Sequence, residues 1–125
     1  MIKKVIEREL SFDSENLMTE FTNQAALEYE YGYRVAVTKD KLRRAEDKLK
    51  ASKDRLFVEF RDEQSGPIEY IKAKVTVRTE ELRKDVRIKA RQYDYAEKAY
   101  EACLTRGRML QSLGGLRRAE LENLE

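Results

Sequence analysis

The chain has 125 residues, about the size of one small domain, and its 26 basic and 24 acidic residues nearly cancel to a net charge of +2. It contains no His and only one Cys, Cys103, so a single copy cannot form a zinc site with the usual ligands, a histidine-dependent catalytic triad or an internal disulfide. No apolar segment has the length of a signal-peptide core or a membrane span, and we therefore expect a soluble, cytoplasmic protein without metal or cofactor. The abundance of Ala, Glu, Lys, Leu and Arg is typical of long helices.

The first predicted element is a long helix, or a pair of helices, over about 15–63, which follows a short N-terminal element. Asp13 or Ser14 suits the N-cap position, because a side-chain oxygen there accepts a backbone N–H bond. Gly32 marks a place where this helix is expected to kink or divide. Apolar residues repeat with heptad spacing, which favours packing against another helix. They are Val35, Leu42, Leu49 and Leu56.

Residues 64–77 are predicted to be a connector. The sequence Ser65-Gly66-Pro67 is a strong helix breaker, and the residues that follow it are partly β-branched and alternate in polarity towards Val77. This pattern fits a short strand, and it also fits one turn of helix followed by an extended segment. Because no second strand candidate exists to pair with it, we favour the connector.

A second long helix is predicted over 78–113, with an N-cap at Thr79, and a short C-terminal helix over 116–124 after the break at Gly114-Gly115. The second long helix also carries heptads, formed by Val86, Tyr93, Tyr100 and Gly107, and by Ala96, Cys103 and Leu110. The chain is therefore predicted to be a single all-α domain over 1–125, built as a long antiparallel helical hairpin. Such a hairpin has little interior, so the apolar stripes left outside predict self-association or a partner helix.

Positive charge is concentrated in blocks along the chain. Residues 39–61 carry nine basic and five acidic residues, residues 78–91 carry six and three, and residues 106–118 carry four and none. In an antiparallel hairpin the first two blocks lie at one end, where such a cluster is typical of a phosphate-binding surface. Phe57, Phe60 and Tyr70 lie among these cations, and single-stranded bases stack on such rings. The alternative is that the charges only solvate helix faces and that the aromatic residues belong to the core.

No catalytic site is expected. Carboxylates are plentiful, but they form no recognisable acid/base pair, and the sequence contains no Walker A phosphate loop. The short run Arg106-Gly107-Arg108 does not by itself define a motif. We therefore expect a protein that is not an enzyme.

Four collinear segments resemble the phage recombination mediator family, the UvsY-like proteins. They are Phe12–Leu17, the run Lys39–Arg43 followed by Leu49–Leu56, the Tyr- and Ala-rich segment 92–105, and Arg108–Leu113 leading to Arg118–Glu120. The family's aromatic residues after its Lys-x-Arg-Leu run are only partly kept, as Phe57-Val58-Glu59-Phe60. This departure puts a base-stacking role for that run in doubt.

The resemblance implies a ring-like, all-helical homo-oligomer that binds single-stranded DNA. Such mediators serve phage DNA recombination, repair and replication in the host bacterial cytoplasm, where they help a RecA-like recombinase displace a single-strand-binding protein. The family's DNA-binding Lys-x-Arg pair matches Lys53 and Arg55, and its oligomerisation region matches roughly residues 92–120.

Two sets of site residues follow from the charge blocks, the heptads and the resemblance. The expected nucleic-acid-binding residues are Lys50, Lys53, Arg55, Arg61, Arg83, Lys84 and Arg87. The expected oligomerisation residues are Tyr93, Ala96, Tyr100, Cys103, Gly107, Leu110 and Leu113.

A different class of function remains open, namely a helical-hairpin adaptor or assembly scaffold that binds protein partners through its apolar stripes. In that case the charges only solvate the helices. A regulator that binds double-stranded DNA is a weaker third hypothesis, because no helix-turn-helix spacing is evident.

Overall fold

The computed structural model describes residues 16–63 and 66–124, which form three helices. They are α1, Leu17–Glu63, α2, Ile68–Arg78, and α3, Glu80–Leu124. No strand occurs among these described residues, which confirms the all-α fold class. The short N-terminal element and the predicted cap at Asp13 or Ser14 lie outside the described residues.

The chain forms two compact units, whereas its length predicts one domain. The terminal unit consists of the described residues of Met1–Val35 and Tyr95–Glu125, and the central unit is Ala36–Asp94. Both long helices contribute residues to both units.

The core of the terminal unit lies between α1 and α3. Tyr31 is 1% exposed and packs with Ala99 and the fully buried Cys103. Because Gln24, earlier in α1, meets Cys103, and Tyr31, later in α1, meets Ala99, the two helices are antiparallel here. A large ring therefore packs over two small residues in this core.

Gly32 neither divides nor ends α1, which runs unbroken from Leu17 to Glu63. The ring of Tyr100 lies over Gly32, and a Cβ added to the glycine would lie 3.7 Å from Cζ of that ring. Of the two alternatives, the single long helix is therefore confirmed and the division at Gly32 is wrong, because packing against the tyrosine compensates for the low helix propensity of glycine.

The core of the central unit contains Phe60 from α1 and Ile71 and Val75 from α2. The predicted connector over 64–77 is wrong, because α2 is a regular helix from Ile68 to Arg78. Pro67 begins it with φ −59° and ψ 144°, and its carbonyl accepts the N–H of Ile71. Ile71 and Val75 are one helical turn apart, so burying both against Phe60 outweighs the local β preference.

Thr79 alone separates α2 from α3. It is completely buried, and both its N–H and its hydroxyl donate to the carbonyl of Val75, at 3.0 and 2.8 Å. A hydroxyl that bonds back to the preceding turn bends a helix, and φ −103° at Thr79 departs from helical geometry. The prediction placed this boundary correctly, but the hydroxyl serves the end of α2 rather than capping the start of α3.

The predicted break at Gly114-Gly115 is also wrong, since α3 continues to Leu124 and the separate helix 116–124 is its last part. No glycine among the described residues has the positive φ that typically ends a helix. A Cβ on Gly114 would lie 3.1 Å from Cζ of Phe21, so the aromatic ring covers the glycine. With strong helix formers on both sides, the cost of about 1 kcal/mol per glycine does not interrupt the helix.

Candidate nucleic-acid interface

The two units differ in charge. The central unit contains seventeen basic and twelve acidic residues, a net charge of +5, and the rest of the chain contains nine and twelve, a net charge of −3. All seven residues predicted to bind nucleic acid belong to the central unit. The small net charge of the whole chain therefore conceals an excess of positive charge in the central unit.

Lys50 and Lys53 lie three residues apart on α1 and are exposed, so they share one face of the helix. Lys53 lines a groove of about 330 Å³ between α1 and α2, which we call the lysine groove. The other residues that line it are Asp54, Phe57, Lys72, Val75 and Thr76. Lys53 and Lys72 therefore line the same groove. The sequence analysis did not identify Lys72, because it predicted a connector over 64–77.

Arg55 and Arg61 are also exposed on α1. Lys53 and Arg55 are two residues apart, which turns their side chains by roughly 200° about the helix axis. The Lys-x-Arg pair therefore does not form a single clamp, and its two cations face different sides of α1. No ion pair within residues 16–63 and 66–124 involves Lys50, Lys53, Arg55 or Arg61.

The three predicted residues on α3 have different environments. Arg83 is half-buried and donates to the carbonyl of Thr76 at 2.6 Å, while its buried Nε has no hydrogen-bond partner within the described part of the chain. Lys84 lies 3.7 Å from Glu80 and 3.4 Å from Glu81, which partly offset its charge. Arg87 is exposed. Arg83 thus supports the α2–α3 junction, and Arg87 presents its charge outward.

A second groove lies between α1 and α2 and has a volume of about 430 Å³. We call it the aromatic groove, and it is lined by Phe60, Tyr70, Ala73, Lys74, Val77 and Arg78. The ammonium of Lys74 lies 5.4 Å from the centroid of the Phe60 ring and 5.1 Å from that of Tyr70. Phe60 is buried, as the core interpretation predicted, whereas Tyr70 is 52% exposed.

In the earlier Lys-x-Arg sequence of α1, Arg43 shows the solvated pattern, whereas Lys41 is exposed and has no ion pair within the described ranges. Asp40 accepts from Arg43 at 3.0 Å and from Arg44 at 2.9 Å, and all these residues lie within one helix. Exposed pairs of this kind contribute little to stability. This part of the basic block therefore matches the alternative of a solvated helix face.

The residues predicted to drive oligomerisation pack largely inside one chain. Cys103, Gly107 and Leu110 are buried in the terminal unit, and Tyr100 covers Gly32. Ala96, Leu113 and Tyr93 are half-buried, the last of these in the central unit. The buried members of this set are thus occupied by contacts within the subunit.

A polar cluster that the sequence analysis missed lies beside these residues. The guanidinium of Arg106, 4% exposed, donates to the side-chain oxygen of Gln24 and to the carboxylate of Glu20. The amide nitrogen of Gln24 donates to the carbonyl of Cys103 at 2.8 Å and to Glu28 at 3.1 Å. Such a network favours one register of the helix pair, because a shift would leave its buried groups unpaired. Helical spacing places Gln24 on the inward face of α1 and Arg106 on that of α3. This spacing is the feature of the sequence that could have indicated the cluster.

Gly107 and Cys103 adjoin this cluster. A Cβ on Gly107 would lie only 2.8 Å from Nε2 of Gln24, so the amide occupies the space that glycine leaves. Burial raises the pKa of the Cys103 thiol, and the negative charge of Glu28 raises it further. The thiol therefore stays protonated at neutral pH and acts as a small apolar group.

Residues 16–63 and 66–124 contain neither a metal-binding cluster nor a membrane-spanning helix. No group of three or more His, Cys, Asp or Glu side chains there could hold a metal ion. No helix in those ranges is both long and apolar enough to cross a membrane.

These features define a class of all-α protein in which two long helices pair antiparallel in one unit and the excess of cations lies in the other. A solved structure of similar fold is the crystal structure of the bacteriophage T4 recombination mediator protein UvsY. The TM-score is 0.78 at 15% sequence identity, and the match covers 95% of each chain. No family model matches the chain, and a search of curated proteins finds no match either. At this identity the likeness establishes the fold.

Proposed function

We propose that this chain is a recombination mediator that binds single-stranded DNA as a homo-oligomer. In this role it helps a RecA-like recombinase load onto DNA covered by single-strand-binding protein, in the cytoplasm of a phage-infected bacterium. The proposal rests on one observation above all: a fold similar to that of a phage recombination mediator carries a net charge of +5 in one of its two units.

Phosphate contacts supply most of the binding in this proposal. Lys50, Lys53, Arg55, Arg61 and Arg87 are exposed and have no ion pair within the described ranges. Because Lys53 and Arg55 face different sides of α1, a strand that contacts both crosses the helix rather than running along it. Such contacts do not depend on base sequence, as a mediator acting along a whole strand requires.

Oligomerisation compensates for the low charge of one subunit. A ring repeats the cation cluster in every copy, so that many weak phosphate contacts act at high effective concentration. We assign the contacts between copies to apolar side chains that remain outward on α3. Met109, Leu116 and Leu121 are 52%, 62% and 61% exposed and lie in or next to the region implied by the family resemblance.

The alternative function, a protein adaptor or assembly scaffold, draws on the same exposed apolar residues of α3. Unlike a mediator, an adaptor is expected to have no affinity for single-stranded DNA. A binding experiment therefore separates the two.

The test compares two pairs of substitutions with the same residue types and spacing. Lys53→Ala/Arg55→Ala removes the proposed contacts, and Lys41→Ala/Arg43→Ala removes the same charge twelve residues earlier on α1. Binding of a fluorescent oligo(dT) is measured by anisotropy over a salt series. The slope of log K against log salt is negative, and each lost phosphate contact reduces its magnitude by about 0.7 for a single strand. We expect the first variant to bind weakly with a reduced slope and the second to resemble the wild type.

Equal losses in the two variants would show that net charge alone governs binding and would contradict the assignment to Lys53 and Arg55. A wild-type oligomer with no affinity for the oligonucleotide at low salt would favour the adaptor. Light scattering on each variant shows whether the assembly survives the substitutions.

A further inference from the structure

We propose that the aromatic groove binds one nucleobase of single-stranded DNA, with the ring of Tyr70 as the stacking surface. The inference rests on the proposed function and adds a base contact to binding that otherwise depends on phosphates. It concerns α2, the helix that the sequence analysis took for a connector.

Tyr70 is exposed and held in place. Its residue is 52% exposed, while Phe60 in the same groove is 9% exposed and belongs to the core. The Lys74 ammonium lies within cation–π distance of both rings, at 5.1 Å from the Tyr70 centroid and 5.4 Å from that of Phe60. This shared contact favours one orientation of the Tyr70 ring, which lowers the entropic cost of stacking.

The chemistry of the groove favours a nucleobase over an apolar peptide side chain. Lys74 and Arg78 place two cations beside the aromatic surface, and α2 as a whole has three basic residues and one acidic residue. A base offers a π-face to the ring, and the phosphates on either side of it offer negative charge to the cations. An apolar side chain can pack against the ring, but it offers no negative charge to the cations.

The aromatic groove is separate from the lysine groove. Lys72 lines the lysine groove and Lys74 the aromatic groove, and residues two apart do not share a helix face. Phosphate contacts at Lys53 and base contacts at Tyr70 can therefore be removed independently.

The experiment uses two fluorescent oligonucleotides of equal length, one of thymidines and one of abasic sites, with the full-length protein. The variants are Tyr70→Ala, Tyr70→Phe, which keeps the ring, and Tyr33→Ala, which removes a tyrosine that is 58% exposed in the terminal unit. Alanine in place of a stacking aromatic residue is expected to weaken binding of the thymidine strand by about fivefold to a hundredfold. Affinity for the abasic strand and the salt slope should not change, because no phosphate contact is lost. Tyr70→Phe and Tyr33→Ala should bind as the wild type does.

Two results overturn the inference while leaving the proposed function intact. In one, Tyr70→Ala binds the thymidine strand as tightly as wild type, which leaves the groove to a protein segment or to no ligand. In the other, Tyr70→Ala weakens both strands equally, which indicates a phosphate contact or a folding defect. If the wild type binds neither strand at low salt, the proposed function fails and the inference with it. Circular dichroism and light scattering of each variant identify a folding or assembly defect.

Discussion

Gly107→Ala tests whether the buried polar cluster stabilises the terminal unit. A Cβ at this position would lie 2.8 Å from Nε2 and 3.4 Å from Cδ of Gln24, and 3.0 Å from Oε1 of Glu28. The Gln24 side chain cannot move aside without loss, because its amide nitrogen donates to the Cys103 carbonyl at 2.8 Å and its oxygen accepts from Arg106. The substitution therefore forces a choice between a steric overlap and unpaired buried polar groups.

The magnitude follows from two opposing terms. Each buried polar group left without a partner costs about 1–3 kcal/mol. Alanine regains about 1 kcal/mol of helix propensity over glycine. If displacement of Gln24 leaves one or two groups unpaired, the free energy of unfolding falls by about 0–2 or about 1–5 kcal/mol, respectively, net of that gain.

Gly115→Ala is the matched control, because it has the same chemistry on the same helix and no atom lies within 4 Å of the added Cβ. We expect this variant to be stabilised by about 0.5–1 kcal/mol. Urea unfolding followed by circular dichroism, at one protein concentration for all variants, measures both changes. Changes of the same sign and size in the two variants would refute the role assigned to the cluster.

The remaining predictions concern two buried residues, Thr79 and Cys103. Thr79→Val removes the hydroxyl that donates to the Val75 carbonyl, and we expect a loss of about 1 kcal/mol in urea unfolding. Thr76→Val, which removes an exposed hydroxyl, should change stability by less than about 0.5 kcal/mol, and equal effects would contradict a special role for Thr79. The Cys103 thiol, whose pKa burial raises above its ordinary value, should react with a thiol reagent far more slowly in the native protein than in urea. Because the unfolded state loses the thiol proton first, Cys103 should lower stability as pH rises above about 8.5, and Cys103→Ala should remove that dependence. A native thiol as reactive as the unfolded one would contradict its burial.

The helical class and the inward faces of the long helices could be predicted from the sequence, because heptad spacing reports directly on burial. Cys103 and Leu110 come from one predicted stripe of α3 and are fully buried. On α1, Ala45 lies three residues after Leu42 of the predicted heptad, on the same face, and is 7% exposed. Local periodicity is sufficient for such positions, since a residue's place on a helix face depends only on its spacing from its neighbours.

The errors came from places where tertiary contacts override local preference. The segment after Pro67 contains β-branched residues, yet it is a helix from Ile68 to Arg78, in which Ile71 and Val75 are buried against Phe60. Gly114 costs only about 1 kcal/mol of helix propensity, and the ring of Phe21 covers it here. Both outcomes depend on residues distant in sequence, which a local pattern does not contain.

The candidate site was predictable in part. The concentration of cations in one region followed from counting charges along the chain, and the central unit contains all seven residues that were predicted to bind nucleic acid. Lys72 was missed because it lies on the helix that was read as a connector. Arg83 was predicted to bind nucleic acid, but its guanidinium donates to the carbonyl of Thr76. The sequence does not show this contact, because it depends on the bend at the α2–α3 junction.

Native mass spectrometry with and without oligo(dT) over a salt series tests the proposed function most directly. We predict a discrete homo-oligomer, with a mass that is a multiple of 14.8 kDa, which binds the oligonucleotide at low salt and releases it as salt rises while the protein assembly persists. A monomer that does not bind the oligonucleotide at low salt, or an assembly whose binding does not change with salt, would contradict the proposal.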